Sequence, residues 1–326
     1  MDVLSDVITA MRTGRPASNR ARVAPSWCFR FDRYDGAGFH VLLRGTGWLV
    51  PERGAPVPLD AGDIVLVPHG SAHVLSDAPT ARGAVPFDAV VDDPAGRTEF
   101  VCGKYRLDRS RTHPLLAELP DVVHLPHRLG HHPDLRAAVD LLARETTGDR
   151  PGRDAVVCGL LDLLLVYMVR AWFDDHPGSG WPRALHDSEV AAALQALHGD
   201  PAAPWRLEDL AAHVGVSRAT LARRFTALTG QPPMTYLTWW RMTTAAHLLR
   251  ETDRPLPAIA REVGYGSPFA FSHAFKRHFG LTPGRYRART DPKAAEPRMS
   301  SSDAPTLPRD PGIRGVNARQ EITLTD

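Results

Sequence analysis

Cysteine is scarce in this 326-residue chain, which holds only Cys28, Cys102 and Cys158. Three thiols at such wide spacing exclude the disulfide framework on which small secreted folds depend. A membrane-length apolar run is also lacking. The most apolar stretch, Ala155 to Phe173, is interrupted by Asp162 and Arg170 and falls short of the ~20 residues a spanning helix needs. The opening Met-Asp-Val-Leu-Ser-Asp has neither the basic start nor the apolar core of a signal peptide, so a soluble cytoplasmic chain with no membrane partner is expected. Net charge is small, +2, but unevenly spread. Between Trp205 and Arg289 stand thirteen Lys/Arg and five Asp/Glu, whereas the remainder holds twenty-six against thirty-two. Acidic residues are missing between Ser217 and Arg250 and again between Val263 and Thr290. Soluble surfaces normally interleave both signs, so a basic half with two acid-free stretches points to a polyanion partner for that half alone.

The basic half contains one helical pattern written twice. Ala211 and Gly215 recur 49 residues later as Ala260 and Gly264, while Ser217, Phe225, Gly230, Pro233 and Tyr236 recur 50 residues later as Ser267, Phe275, Gly280, Pro283 and Tyr286. Each copy reads as a short helix, Leu207 to His213 or Leu256 to Val263, followed by a Gly that permits a left-handed turn and a Ser placed to cap a second helix. Helix, Gly turn and capped helix make a helix-turn-helix. The second helices expose basic faces. Arg218, Thr220, Arg223 and Arg224 lie opposite Leu221, Phe225 and Leu228, and Ser272, His273, Lys276 and Arg277 accompany Phe271, Phe275 and Phe279. Between the copies, Met234 to Arg250 predicts a helix of about 17 residues, roughly 25 Å long. With its flanking helices it could set two reading helices in successive major grooves ~34 Å apart.

On these residues, and on the run Ala260-x-x-Val-Gly-Tyr-Gly-Ser-Pro-Phe-Ala-Phe-Ser-His-Ala-Phe-Lys-Arg-His-Phe-Gly-Leu-Thr-Pro-Gly-Arg-Tyr-Arg, residues 187–289 resemble the tandem helix-turn-helix domain of the AraC/XylS family of bacterial transcriptional regulators. The resemblance implies double-stranded operator DNA bound by a homodimer or a pair of monomers, RNA polymerase as a further partner, and an amino-terminal domain that senses a signal. By position it places base-reading residues at Arg218, Ala219, Thr220, Arg223 and Arg224, beside the cap Ser217, and at Ser267, Phe269, Ser272, His273 and Lys276. Lys276 and Arg277 are alternatively phosphate contacts. The Arg-rich first copy is expected to carry more base specificity than the second, where Pro268, Phe269 and Phe271 favour docking.

Residues 1–125 read as β-rich. Runs such as Trp27 to Phe31, Phe39 to Leu43, Gly47 to Val50 and Ile64 to Val67 are separated by Gly, Pro and Asp turn signals, as in a sandwich or small barrel. Leu4 to Met11 has helical period. Gly62-Asp-Ile-Val-Leu-Val-Pro-His-Gly-Ser-Ala-His73 resembles the second motif of the cupin barrels, and Gly38-Phe-His40 with Leu43-Arg-Gly-Thr-Gly-Trp48 stands where the first motif belongs. That family's first motif supplies two His and a Glu to a metal. Only His40 is present here, which weighs against the alternative of a cupin-type metalloenzyme fused to a DNA reader. Cys28, His40, His73 and Cys102 form the candidate sensing set. Two Cys and two His suit a closed tetrahedral Zn²⁺ site that thiolate oxidation would open, and they suit equally well four separately packed side chains, with His69 as an alternative to His73. The effector is therefore a small molecule, a metal or an oxidant. His113, His124, His127, His131 and His132 are expected in surface loops and Cys158 in the core.

The expected architecture is multi-domain α+β. It comprises a cupin-like β-barrel sensor over 1–125, a helical connector over 126–184, an all-α tandem helix-turn-helix domain over 185–290 and a disordered tail over 291–326. Within the connector, the run from Asp154 to Phe173 is either a dimerisation helix or intradomain core, and Asp174 to Ala184 is the linker.

Overall fold

Period-two alternation builds the amino-terminal half. In the computed structural model, residues 2–290 are described except 91, 109–112, 129, 148, 149 and 179; the tail expected over 291–326 lies outside them. Ten strands form: β1 (Ala17–Val23), β2 (Cys28–Phe31), β3 (Gly36–Arg44), β4 (Thr46–Pro51), β5 (Val57–Asp60), β6 (Ile64–Val67), β7 (His73–Ser76), β8 (Val85–Pro86), β9 (Thr98–Arg106) and β10 (Val123–Leu125). They make two five-stranded sheets, ordered β1-β9-β3-β6-β10 and β5-β4-β7-β2-β8. Along β3, β6 and β9, one set of side chains (Leu42, Val65, Val67, Phe100, Cys102) joins Trp27, Phe29, Leu49 and Leu75 in the apolar filling between the sheets. The alternate set (Phe39, Val41, Ile64, Leu66, Val101, Tyr105) faces the helices. Such two-sided burial gives β6 an apolar residue at every position.

Twelve helices are formed by the described residues. The first four are α1 (Val3–Met11), α2 (Pro114–Ala117), α3 (Pro133–Glu145) and α4 (Arg153–Asp175). Next come α5 (Gly180–His186), α6 (Ser188–Gly199), α7 (Leu207–His213) and α8 (Arg218–Thr229). The last four are α9 (Pro233–Glu251), α10 (Leu256–Glu262), α11 (Pro268–Phe279) and α12 (Pro283–Thr290). Asp2 caps α1 by accepting from the Ser5 N–H. The apolar residues of α1 lie in one continuous core with the outer face of the first sheet, α3, α4 and the first helix-turn-helix. A third, smaller core holds Met242, Leu249, Ile259, Phe271 and Phe275 under the second copy.

Two expectations about the connector change. At 23 residues, α4 is long and apolar enough by composition to cross a membrane, contrary to the sequence reading. Yet Leu160, Leu161, Leu164, Leu165, Met168 and Val169 are buried in the protein, and Asp162 pairs with Arg12 at the end of α1. The stretch Asp174 to Ala184 is not all linker. Residues 180–186 are helical, Trp181 is buried, and α5 packs on α8. Glu118 anchors its start by accepting from the Trp181 N–H at 2.9 Å.

Candidate functional site

The two copies fold as their spacing predicts. Gly215 and Gly264 have φ of 74° and 79°, the left-handed turn that a Cβ would strain. Ser217 accepts from the Thr220 N–H at 3.2 Å and Ser267 from the Ala270 N–H at 3.1 Å, capping α8 and α11. Gly230 and Gly280 close the same helices, again at positive φ. Leu221 and Phe225, and Phe271 and Phe275, are buried. The opposite faces are left to solvent.

On α11, Phe269, Ser272, His273 and Lys276 fall at i, i+3, i+4 and i+7, one stripe of the helix. His273, Lys276 and the neighbouring Arg277 are exposed, Ser272 is half-buried, and Phe269 is 85% exposed. On α8, Arg218, Ala219 and Arg223 are exposed and Thr220 is half-buried, its hydroxyl 2.9 Å from that of Ser217. Arg218 makes a solvent-exposed pair with Glu208 at 2.6 Å, a contact worth little and easily exchanged for phosphate. Arg223 has no protein partner among the described residues. Arg224 differs. Its guanidinium donates to Asp187 at 2.6 Å and lies 3.1 Å from Glu189, tying α8 to the start of α6. Burial alone would raise the Asp187 carboxyl, but the Val190 N–H and Arg224 outweigh it and hold it below the usual range. Arg224 is thus engaged by the scaffold, with its side chain still 42% exposed.

Both repeats also dock on the amino-terminal half through equivalent tyrosines. Tyr286 donates to Asp108 at 2.6 Å, just beyond β9, and Arg250 bridges Asp108 (2.5 Å), the Tyr286 hydroxyl (2.8 Å) and the Ala10 carbonyl (2.8 Å). Tyr236 meets His113. His113 Nδ1 accepts from the Leu115 N–H at 2.9 Å, so its Nε2–H donates to the Tyr236 hydroxyl at 3.0 Å. That hydroxyl donates onward to His198 Nε2 at 2.6 Å, and His198 Nδ1–H reaches Asp6 of α1 at 3.1 Å. Burial holds the His113 and His198 imidazoles low, and this relay needs both neutral. His113, expected in a surface loop, is therefore fully buried, because its partner lies 123 residues away.

In the barrel, three of the four sensing candidates meet. His40 on β3 and Cys102 on β9 are directly opposed in register, and His73 starts β7 in the other sheet. His40 Nδ1 is 2.9 Å from Cys102 Sγ, and His40 Nε2 is 2.7 Å from His73 Nε2. His73 Nδ1–H donates to the Ser71 carbonyl at 2.7 Å, which fixes the sequence of donors. His73 Nε2 accepts from His40 Nε2–H, and His40 Nδ1 accepts from the Cys102 thiol. Burial pushes the Cys102 thiol well up and both imidazoles down, with His73 adding to the shift of His40. All three groups are then neutral, and Cys102 is a thiol rather than a reactive thiolate. Two imidazole nitrogens on one Zn²⁺ would stand about 3.3 Å apart, given bonds of 2.0–2.1 Å. His40 also faces His73 and Cys102 with different nitrogens, so the set fits a hydrogen-bonded relay and does not fit one ion.

Cys28 stays apart. It lies between buried Trp27 and Phe29, on the other side of β2, with its thiol 3.7 Å from the Thr80 carbonyl. His69 is turned onto the Leu119 carbonyl at 2.7 Å and does not replace His73. Cys158 is half-buried rather than core. Sequence reading missed Phe31, which stacks on His73 at 5.0 Å between ring centroids, and Phe87 stacked behind it at 4.7 Å. These rings wall a cavity of about 280 Å³ over His40, His73 and Cys102, with Arg30, Arg33 and Lys104 among its other lining residues. Gly103 is required beside it, since a Cβ there would stand 2.0 Å from the Phe39 ring.

Comparison with known proteins accords with this arrangement. Residues 2–174 match the Cupin family model and residues 210–289 the helix-turn-helix domain model. An AraC-like transcription regulator of Streptomyces lividans is 37% identical over 298 residues, spanning 88% of this chain and 98% of that protein. The chain belongs to the AraC family of transcriptional regulators. The HTH-type transcriptional regulator AlkR of Acinetobacter baylyi is 32% identical over 307 residues, 88% of this chain and 99% of AlkR. The crystal structure of the AdpA DNA-binding domain in complex with a target DNA is 34% identical, covering 32% of this chain and 92% of that one, with a TM-score of 0.30. This AraC-type protein is a sequence-specific DNA-binding transcriptional regulator with a cupin sensor domain.

Proposed function

We propose that the regulator reads its operator with the exposed stripes of α8 and α11 and takes its signal in the barrel cavity. Arg218, Ala219, Thr220 and Arg223 serve the first groove, and Phe269, Ser272, His273 and Lys276 the second. Ser217 and Ser267 orient the two helices, and Arg277 serves the phosphate backbone. Phe269 carries the reading. A phenyl ring 85% exposed at the start of a helix is unfavourable in water, whereas in a major groove it can contact a thymine methyl. The hydrogen-bonded His40, His73 and Cys102 and the aromatic walls suit sensing of a small, partly apolar effector. RNA polymerase as a further partner and a cytoplasmic location belong with this reading. The outer face of α3 and α4, with exposed Leu141, Val156 and Leu163, offers a surface for self-association.

The two neighbouring arginines of α8 test the assignment. Arg223→Ala is expected to lose ~1–3 kcal/mol of discrimination at one base position, read by competition between matched and singly changed duplexes. Arg224→Ala should keep the base preference and lower the melting temperature, because what it loses is the tie to Asp187 and Glu189. An altered preference in Arg224→Ala beside an unaltered one in Arg223→Ala would reverse the assignment.

A further inference from the structure

We propose that His131, His132 and Asp175 form a site for a divalent transition ion of the Zn²⁺ class, separate from the barrel. The histidines lie in the loop between β10 and α3, and Asp175 is the last residue of α4. One ligand atom from each residue falls within 4.8 Å of the other two. His132 Nε2 and Asp175 Oδ2 are 3.3 Å apart, long for a charge-assisted hydrogen bond but equal to the edge of a tetrahedron built with Zn–N and Zn–O bonds of about 2.0–2.1 Å.

The loop holds the two imidazoles in place by an uncommon backbone path. Gly130 has φ +78° and His132 +47°, and Pro133 then opens α3. The left-handed turn at His132 sets adjacent rings 5.8 Å apart and at 81° to one another, so they approach a common point from different directions. His131 and Asp175 are exposed, which gives an ion access from solvent, while the His132 side chain is 14% exposed. Two imidazoles and a carboxylate are a borderline donor set that suits Zn²⁺, and water completes the fourth position. In the barrel, by contrast, the facing nitrogens are at hydrogen-bond distance and already committed. An ion at Asp175 would fasten the β10–α3 loop to the end of α4 just before α5 begins, where the amino-terminal half hands over to the reader.

The test titrates Zn²⁺ into the full chain against a chromophoric chelator and repeats the titration with Co²⁺ as a spectroscopic probe. The expected result is one equivalent bound by the native chain and by Cys102→Ser. In the double variant His131→Ala/His132→Ala and in Asp175→Asn, affinity should fall roughly 10–100-fold or more. The bound Co²⁺ should show no thiolate charge-transfer band. Asp175→Asn, at an exposed side chain, should melt with the native chain, which separates ligand loss from misfolding. The proposal is overturned if no stoichiometric ion binds, or if binding survives both sets of variants. It is equally overturned if the only bound ion carries the thiolate band and disappears in Cys102→Ser.

Discussion

Stability is expected to fall steeply as pH drops from about 6.5 towards 5, well before the carboxylates titrate. His40, His73, His113 and His198 are buried with their pKa values held below the ordinary 6.5, His40 and His113 well below. The native state binds fewer protons at these groups than the unfolded chain, so stability is complete above the unfolded pKa and is lost as pH falls towards the folded values. The hydrogen bonds show why protonation is resisted. His113 Nδ1 already accepts the Leu115 N–H and His40 Nδ1 the Cys102 thiol, so an added proton would set donor against donor. Each imidazole that stays neutral contributes a slope approaching ~1.4 kcal/mol per pH unit, and the two most strongly held alone give roughly 2.7. Asp63 and Asp187, whose carboxyls are held below 3.8, act in a separate window, stabilising above that value and losing the contribution as pH falls through their lower folded values. Urea unfolding at pH 7.5, 6.5 and 5.5 should show the loss, and His40→Asn and His113→Asn should each remove about one proton from the slope. A flat profile over this range would mean that the imidazoles are protonated in the native state.

Asp108→Ala is expected to cost about 3–5 kcal/mol, the penalty for leaving a buried guanidinium without its counter-ion. The Arg250 side chain is only 6% exposed, and Asp108 accepts from both Arg250 and Tyr286. Burial, with Asp108 as acceptor, pushes the Tyr286 hydroxyl up to about 12, so it remains a donor at any working pH. Tyr286→Phe, which removes the bond donated to Asp108 and the one accepted from Arg250 but no charge, should cost less, ~1–3 kcal/mol. Full-chain unfolding distinguishes the two variants; a loss below ~1 kcal/mol in Asp108→Ala would show that the contact is open in solution. Asp108 lies six positions along the chain from Cys102, so β9 runs directly from the barrel cavity to the anchor of the second helix-turn-helix.

Short-range chemistry made the reader legible. The left-handed Gly215 and Gly264, the caps Ser217 and Ser267 and the buried Phe225 and Phe275 all act within a turn or two of helix, where spacing alone is informative. Features set by distant partners were not legible. Nothing near Arg224 announces Asp187, nothing near His113 announces Tyr236, and the Trp-Pro pair at Trp181 resembled a linker although its ring is buried. Strand β1 escaped because the consecutive polar residues Ser18, Asn19 and Arg20 break the apolar alternation, as a sheet-edge position allows. The position of Cys28 could have been read from parity. Trp27 and Phe29 flank it and both face the core, so Cys28 cannot. The meeting of His40, His73 and Cys102 follows from strand alternation, whereas their hydrogen-bonded relay depends on the packing of the two sheets.

Whether one chain carries two readers joined by α9 is decided by selecting binding sites from random duplex DNA with the full-length protein. Two separate clusters of preferred bases roughly 10 base pairs apart are expected, one altered by Arg223→Ala and the other by His273→Ala. A single cluster, or one that both substitutions alter together, would contradict that arrangement.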